Sequence, residues 1–415
     1  MINAFSTLFL VLLLVSSLFK IILAGRHISF IQSKRANVPD AFKENISLES
    51  HQKAADYTVS KVKLSFVALF VDILLILFLT FGGGIKAIDS FTLSFTTDPI
   101  NQGVIFLALL FLVTSIFDLP IGVYRTFVIE VRYGFNKTTV GTWISDLLKN
   151  LIVATIIGLP LIWAIIFFME IMGNQWWIYV WILLMVFMGF IQFIGPTYIA
   201  PLFNKFTPME DSELKVRVEQ LLSKCGFSSN GLFIMDGSKR SSHGNAYFTG
   251  FGNNKRIVFF DTLLERLGIS EIEAVLAHEL GHFRLNHVIK RLLLVSFGSV
   301  VFLAILGVLK NQDWFYLGLN VNPATNNGVA LGLFFIIVPV FTFMLQPILS
   351  KMSRGHEFEA DEYASRHAPA KDLVSALVKL YNDNASTLTP DPLYSAWYDS
   401  HPSASARIAR LEKPN

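Results

Sequence analysis

The reading of the chain turns on Ser270-Glu-Ile-Glu-Ala-Val-Leu-Ala-His-Glu-Leu-Gly-His-Phe-Arg-Leu-Asn-His287, which leads straight into an apolar run from Val288 to Leu309. Ile272, Val275, Leu276 and Leu280 recur at three- and four-residue spacing, the pattern of an amphipathic helix. Ser270 with Glu273 three residues later reads as the capping box that starts it. His278 and His282 lie one turn apart on one face, so two imidazoles can meet one tetrahedral zinc. Glu279 sits beside them, within reach of the open coordination position, where it acts as general base toward the attacking water. The run from Val288 to Leu309 is long enough to cross a bilayer. One stretch therefore places a metal-binding helix at a membrane surface.

The rest of the chain agrees with a membrane setting. Of 415 residues, 53% are hydrophobic and 16% charged, where a soluble globular chain carries about 25% charged residues. Apolar runs suited to crossing fall at Asn3 to Ala24, Ser65 to Ile85, Gly103 to Tyr124, Leu151 to Met172, Trp176 to Pro201, Val288 to Leu309 and Gly328 to Leu349. The first has no basic segment ahead of it and no A-x-A site, so it reads as a retained helix rather than a cleaved signal. The fold class is mainly α, a polytopic membrane protein of about seven transmembrane helices. Formal net charge is +3 with no long run of one sign, which argues against nucleic acid as a partner. Cys225 is the single cysteine, so any metal must be held by histidine and carboxylate. The absence of an internal repeat weighs against a carrier built from inverted repeats.

Basic residues set the orientation. Arg26, Lys34, Arg35, Lys43, Lys53, Lys61 and Lys63 crowd the first loop, whereas the loop from Lys86 to Gln102 carries Lys86 alone. This predicts an N-terminus outside the cytosol and a cytosolic catalytic part, in a bacterial inner membrane or an endoplasmic reticulum membrane. The expected organisation is helices one to five over 1–201, a metalloprotease domain over 202–287, helices six and seven over 288–349, and the C-terminal part of the protease domain over 350–415. Within the first soluble stretch an amphipathic helix is expected near Asp211 to Cys225. Strands are expected at Leu232 to Met235, Asn245 to Phe251 and Arg256 to Phe260, the last two flanking a Gly252-Asn253-Asn254-Lys255 turn.

A catalytic zinc needs a third protein ligand. His287 is expected at an awkward angle on the same helix, facing the membrane surface. The second soluble stretch offers Ser353-Arg-Gly-His-Glu-Phe-Glu-Ala-Asp-Glu-Tyr-Ala364, in which Glu357 and Asp361 are four apart. That spacing lets Glu357 bind zinc while Asp361 accepts a hydrogen bond from the far nitrogen of a ligating imidazole. Spacing alone weighs this evenly against a solvated acidic helix face.

Taken together these blocks resemble the integral-membrane, zinc-dependent CAAX prenyl endopeptidases, over nearly the whole chain. Phe127-Val-Ile-Glu130, Gly134-Phe-Asn-Lys-Thr138 and Pro201-Leu-Phe-Asn-Lys-Phe-Thr-Pro208 are similar to cytosolic-loop signatures of that family, and have no catalytic reading of their own. Ser241 to Tyr247 with Lys255 to Leu264, Arg354-x-x-Glu357-x-x-Ala-Asp361, and Ser400-His401-Pro402 with Arg407 resemble its other blocks. Glu359 stands where a Gln is common. The resemblance implies helices enclosing a chamber capped by a zincin-type domain with a small β-hairpin sheet. It implies one Zn2+ per chain on His278, His282 and Glu357, with Glu279 as base and Asp361 behind a ligand. It further implies that His401 and Arg407 stabilise the oxyanion, and that Asn245 and Ala246 present a backbone edge to the substrate.

Three functions compete. One is removal of a C-terminal tripeptide after a prenylated cysteine, and the second is quality-control proteolysis of unlipidated membrane proteins. The third is a carrier with a vestigial metal site, which the retained Glu279 argues against. The expected partners are a peptide or protein substrate and the lipid bilayer. His243 is expected to be structural or solvent-facing, outside the metal set. Asp72 and Asp118, acids in apolar spans, are candidates to line a cavity, with a purely structural role weighing at least as much for Asp118 because Pro120 follows it.

Overall fold

The computed structural model describes residues 3–227, 231–249, 256–323 and 326–413. Among the described residues, seven helices are long and apolar enough to cross a membrane: Ala4–Lys34, Leu48–Leu79, Pro99–Glu130, Val140–Ile171, Gly173–Phe203, His287–Leu309 and Asn327–His367. Each overlaps one of the runs read from the sequence and several extend well past it, but the second ends at Leu79, six residues short of the expected Ile85. The first has 31 residues, which at ~1.5 Å each gives about 46 Å, well beyond the ~30 Å of a hydrocarbon core. Its polar end therefore projects out of the apolar layer and meets the C-terminal region. There Arg26 pairs with Asp391 at 2.9 Å and the ring of His27 stacks on Tyr394 with centroids 3.9 Å apart.

The outer faces expose Leu112, Ile116, Ile156, Val186 and Leu293, apolar surface of the kind lipid tails cover. Inside, small residues set the closest crossing. A Cβ at Gly328 would lie 2.5 Å from the Cα of Gly103, so the third and seventh spans touch backbone to backbone, as glycine permits in membrane bundles. Asp72 and Asp118 are both exposed and lie close enough to feel each other's charge, with Lys20 near Asp72.

The soluble part is built on four strands, β1 (Phe206–Pro208), β2 (Leu232–Met235), β3 (Ala246–Thr249) and β4 (Arg256–Phe260), in the order β1-β2-β4-β3. The expected antiparallel pairing of β3 with β4 is present, with Ala246 opposite Phe259. The sheet is larger than a hairpin, because β2 adds in parallel beside β4 and β1 closes the far edge. The Gly252–Lys255 turn lies outside the described residues. The helix Glu213–Lys224 is capped by the Ser212 side chain and packs Val218, Leu221 and Leu222 into one core with Ile257 and Phe259 of β4.

Ile272, Leu276 and Leu280 of the helix Ile269–Arg284 join the same core, which turns His278 and His282 the other way. The expected Ser270–Glu273 cap is corrected. The cap is Gly268, two residues earlier, and Glu271 reaches back to accept from the Gly268 N–H at 2.7 Å. Lys379 and Ser375 also donate to Glu271, at 2.8 and 2.6 Å, while Glu273 turns outward toward Arg217 at 3.4 Å. Glu271, itself buried, is thus the carboxylate that anchors the helix start.

The loop blocks that resemble family signatures acquire a structural reading. The Lys137 N–H donates to the Arg240 carbonyl and the Ser242 N–H to the Phe135 carbonyl. The Arg240 guanidinium grips Asp146 at 2.8 and 2.9 Å and reaches the Phe203 carbonyl and Asn204. The Tyr57 hydroxyl donates to Glu130 at 2.6 Å. The last bond ties the second span to the third, and the others fasten the soluble part onto the loop after the third span and onto the fourth and fifth spans.

Candidate metal centre

His278 and His282 project from one face of Ile269–Arg284 toward the helix Gln346–His367, which carries Glu357. The two helices cross at Gly281, where a Cβ would come within 3.0 Å of the Ala360 Cα. The crossing brings three donors together: His278 Nε2 is 3.2 Å from His282 Nε2, and Glu357 lies 3.4 Å from the first and 3.3 Å from the second. This is the histidine and carboxylate cluster of the described residues in which one atom of each lies within 4.8 Å of the others. Glu357 Oε2 is buried with no hydrogen-bond partner. A carboxylate that sets one oxygen against each imidazole, with a buried oxygen lacking a hydrogen bond, fits a cation held among the three. Two histidines and one glutamate are also a donor set that holds catalytic zinc while leaving a position open.

Behind His278, Asp361 lies 2.9 Å from Nδ1, which fixes Nε2 as the nitrogen presented to a metal. Burial opposes a charged His278, but Asp361 and Glu357 overcome this and raise its pKa to about 9. Arg407 is buried and bonds to Asp361 at 2.8 and 2.5 Å, with a third nitrogen 3.7 Å from Glu357. It therefore stands behind the ligands. His401 stands on the open side, exposed, with Nε2 3.4 Å from Glu357 and Nδ1 2.9 Å from the Ser400 hydroxyl.

The ligands open onto a cavity of about 500 Å³ whose walls include Glu279, His401, Tyr247, Phe248, Phe283 and Met352. Burial pushes the Glu279 carboxyl up despite the neighbouring histidines. β3 is an edge strand of the sheet. Because the Phe260 N–H bonds to the Asn245 carbonyl, antiparallel alternation leaves the backbone of Ala246 and Phe248 facing outward. The Ala246 N–H is taken up by the Asn245 side chain at 2.9 Å.

A family model described as peptidase family M48 matches residues 208–415, and one described as CAAX prenyl protease N-terminal, five membrane helices, matches residues 27–205. The chain belongs to peptidase family M48. It is 38% identical over 398 residues to the CAAX prenyl protease 1 homolog of Arabidopsis thaliana, covering 91% of each chain. It is 37% identical over 328 residues to CAAX prenyl protease 1 of Saccharomyces cerevisiae, covering 75% of this chain and 72% of that one. The crystal structure of S. mikatae Ste24p superposes with a TM-score of 0.92 at 31% identity, covering all of both chains. This M48 protein is accordingly a multi-pass membrane metallopeptidase acting on peptides or proteins.

The M48 site holds residues the sequence did not assign. Tyr247 and Phe248 wall the cavity; they are the next two residues along the β3 edge after Asn245 and Ala246. His287 is corrected outright. Asn286 adopts φ +58°, which ends one helix and starts the next at His287. The ring is thereby turned back to lie buried, with Nδ1 3.0 Å from His282 Nδ1. His243 is structural as expected, with Nδ1 3.1 Å from Asn384 and its ring stacked on Phe135.

Proposed function

We propose that this peptidase is a zinc endopeptidase that removes the C-terminal tripeptide from prenylated CAAX substrates at the cytosolic face of the membrane. The observation that carries the reading is the wall of the cavity. Val288, Leu294 and Val295 of the sixth span and Leu349 of the seventh line the same space as Glu279 and His401. A peptide bearing a lipid suits a cleft that continues into apolar helix surface. The relatives' names point the same way.

His278, His282 and Glu357 would hold the metal. Bound there, zinc supplies Lewis-acid polarisation of the scissile carbonyl and acidification of water. Glu279 takes the proton from the attacking water and passes it to the departing amine. His401, across the cleft, donates to the carbonyl oxygen as charge develops on it. The outward backbone of Ala246 and Phe248 pairs with the substrate strand, with the Asn245 side chain giving way as the strand docks. Asp361 holds His278 in its ligating tautomer, and the contacts of Arg407 suit clamping Asp361 better than touching an oxyanion.

Purified protein assayed against a farnesylated CAAX peptide and its unlipidated twin tests the reading. Preferential cleavage of the farnesylated peptide before its last three residues is expected. Equal rates on the two peptides would contradict prenyl recognition and favour the quality-control role.

A further inference from the structure

Each ligating histidine has a partner at its far nitrogen, but the two are built differently. His278 meets a carboxylate directly, in Asp361. His282 meets another histidine: its Nδ1 lies 3.0 Å from Nδ1 of His287, whose Nε2 lies 2.9 Å from Oε2 of Glu359. His287 is buried, and its other ring face is stacked on His356 with centroids 4.1 Å apart and planes 11° from parallel. Lys290 Nζ, 3.9 Å from Glu359, is the nearby cation.

We infer that His287 is a positioning residue for the metal, relaying the Glu359 carboxylate to the ligand His282. The inference rests on the zinc reading above. The proton positions follow from connectivity. Nε2 of His282 faces His278 and Glu357, so it must be unprotonated to ligate, and the ring's hydrogen sits on Nδ1. That N–H needs an acceptor, and the atom in reach is Nδ1 of His287. His287 then carries its own hydrogen on Nε2 and donates it to Glu359. The chain Glu359, His287, His282 is a longer counterpart of the direct Asp361–His278 pair, and it fixes both the tautomer and the ring plane of His282. The left-handed turn at Asn286 is what makes it possible, since a continuous helix would carry His287 round to another face.

Zinc release from the loaded full-length protein to a chromophoric chelator at neutral pH tests this without using activity. His287→Phe keeps the ring stacked on His356 but removes the acceptor, and should release zinc about 10- to 100-fold faster, the usual loss when a ligand's supporting partner is removed. His287→Asn places an amide oxygen near the position of Nδ1 and should stay within about threefold of the unmodified protein, because the acceptor is restored. Glu359→Leu, at a half-exposed position tolerant of change, should release zinc faster, while Glu359→Gln, which still accepts, should not. A wild-type rate in both His287→Phe and Glu359→Leu would overturn the relay. So would His287→Asn releasing zinc as fast as His287→Phe, since that would mean the site needs the ring's shape and not its acceptor.

Discussion

Glu279 and Glu357 are two carboxylates at one centre with different tasks, and geometry separates them. Glu357 lies 3.3 to 3.4 Å from both imidazole nitrogens, whereas Glu279 lines the cavity. Glu279→Gln should therefore keep its metal and its fold while losing peptide hydrolysis by at least ~10²-fold, the usual size of general-base removal. Metal analysis beside a rate assay checks it, and activity within a few-fold of wild type would remove Glu279 from the chemistry. The pair at positions 278 and 282 and the base between them were legible because helical spacing alone places them. Glu357 and Asp361 were half legible, since four-residue spacing puts two acids on one face without saying what that face meets. His287 was misread because a single positive φ at Asn286 breaks the helical phase on which the reading depended. Arg407 was expected at the oxyanion because it falls in a family block; its actual partners, Asp361 and Glu357, depend on a fold between distant segments.

Two elements set the distance between the ligands. The helices Ile269–Arg284 and Gln346–His367 cross at Gly281, where a Cβ would sit 3.0 Å from Ala360 Cα and 3.1 Å from Tyr363 Cβ. In an isolated helix, Gly→Ala is favourable by about 1 kcal/mol; here backbone must move, taking Glu357 with it. Gly281→Ala is therefore expected to hold less than one metal per chain, measured by elemental analysis, and a fully loaded variant would show that the crossing is not limiting. The start of the same helix depends on Glu271. Burial would raise its carboxyl, but bonds from Lys379, Ser375 and the Gly268 N–H outweigh this and hold it below the usual range. A depressed carboxylate contributes stability above its unfolded value near ~4.3 and loses it as pH falls through its folded value. Glu271→Gln should thus be less stable than wild type by about 1–2 kcal/mol at pH 7, with the gap narrowing below pH ~4. Thermal melts across that range check the sign, and a gap unchanged at pH 3 would contradict it. The sequence put the cap two residues late, because Glu271 and Glu273 both fit a helix start and only the tertiary partners Ser375 and Lys379 distinguish them.

At the scale of the whole molecule, the seven spans were legible from apolar length, since a continuous apolar run of about 20 residues satisfies its own backbone in lipid only as a helix. The sheet was legible only in part: β1 and the parallel pairing of β2 beside β4 join segments far apart in sequence, where local alternation is silent. The alternation of basic and uncharged loops predicts a topology with the soluble part in the cytosol. In a Cys225→Ser background, single cysteines at the exposed positions Ser90 and Asn311 should label from outside the cytosol, and one at Ser223 should not. Labelling of Asn311 and Ser223 from the same side would contradict the arrangement. The central claim is that two helices separated by two membrane crossings share one zinc, and zinc content of purified Glu357→Ala tests it most directly. About one zinc per chain is predicted for the unmodified protein and far less for the variant; a variant that folds and keeps the full complement would show that the metal is held elsewhere.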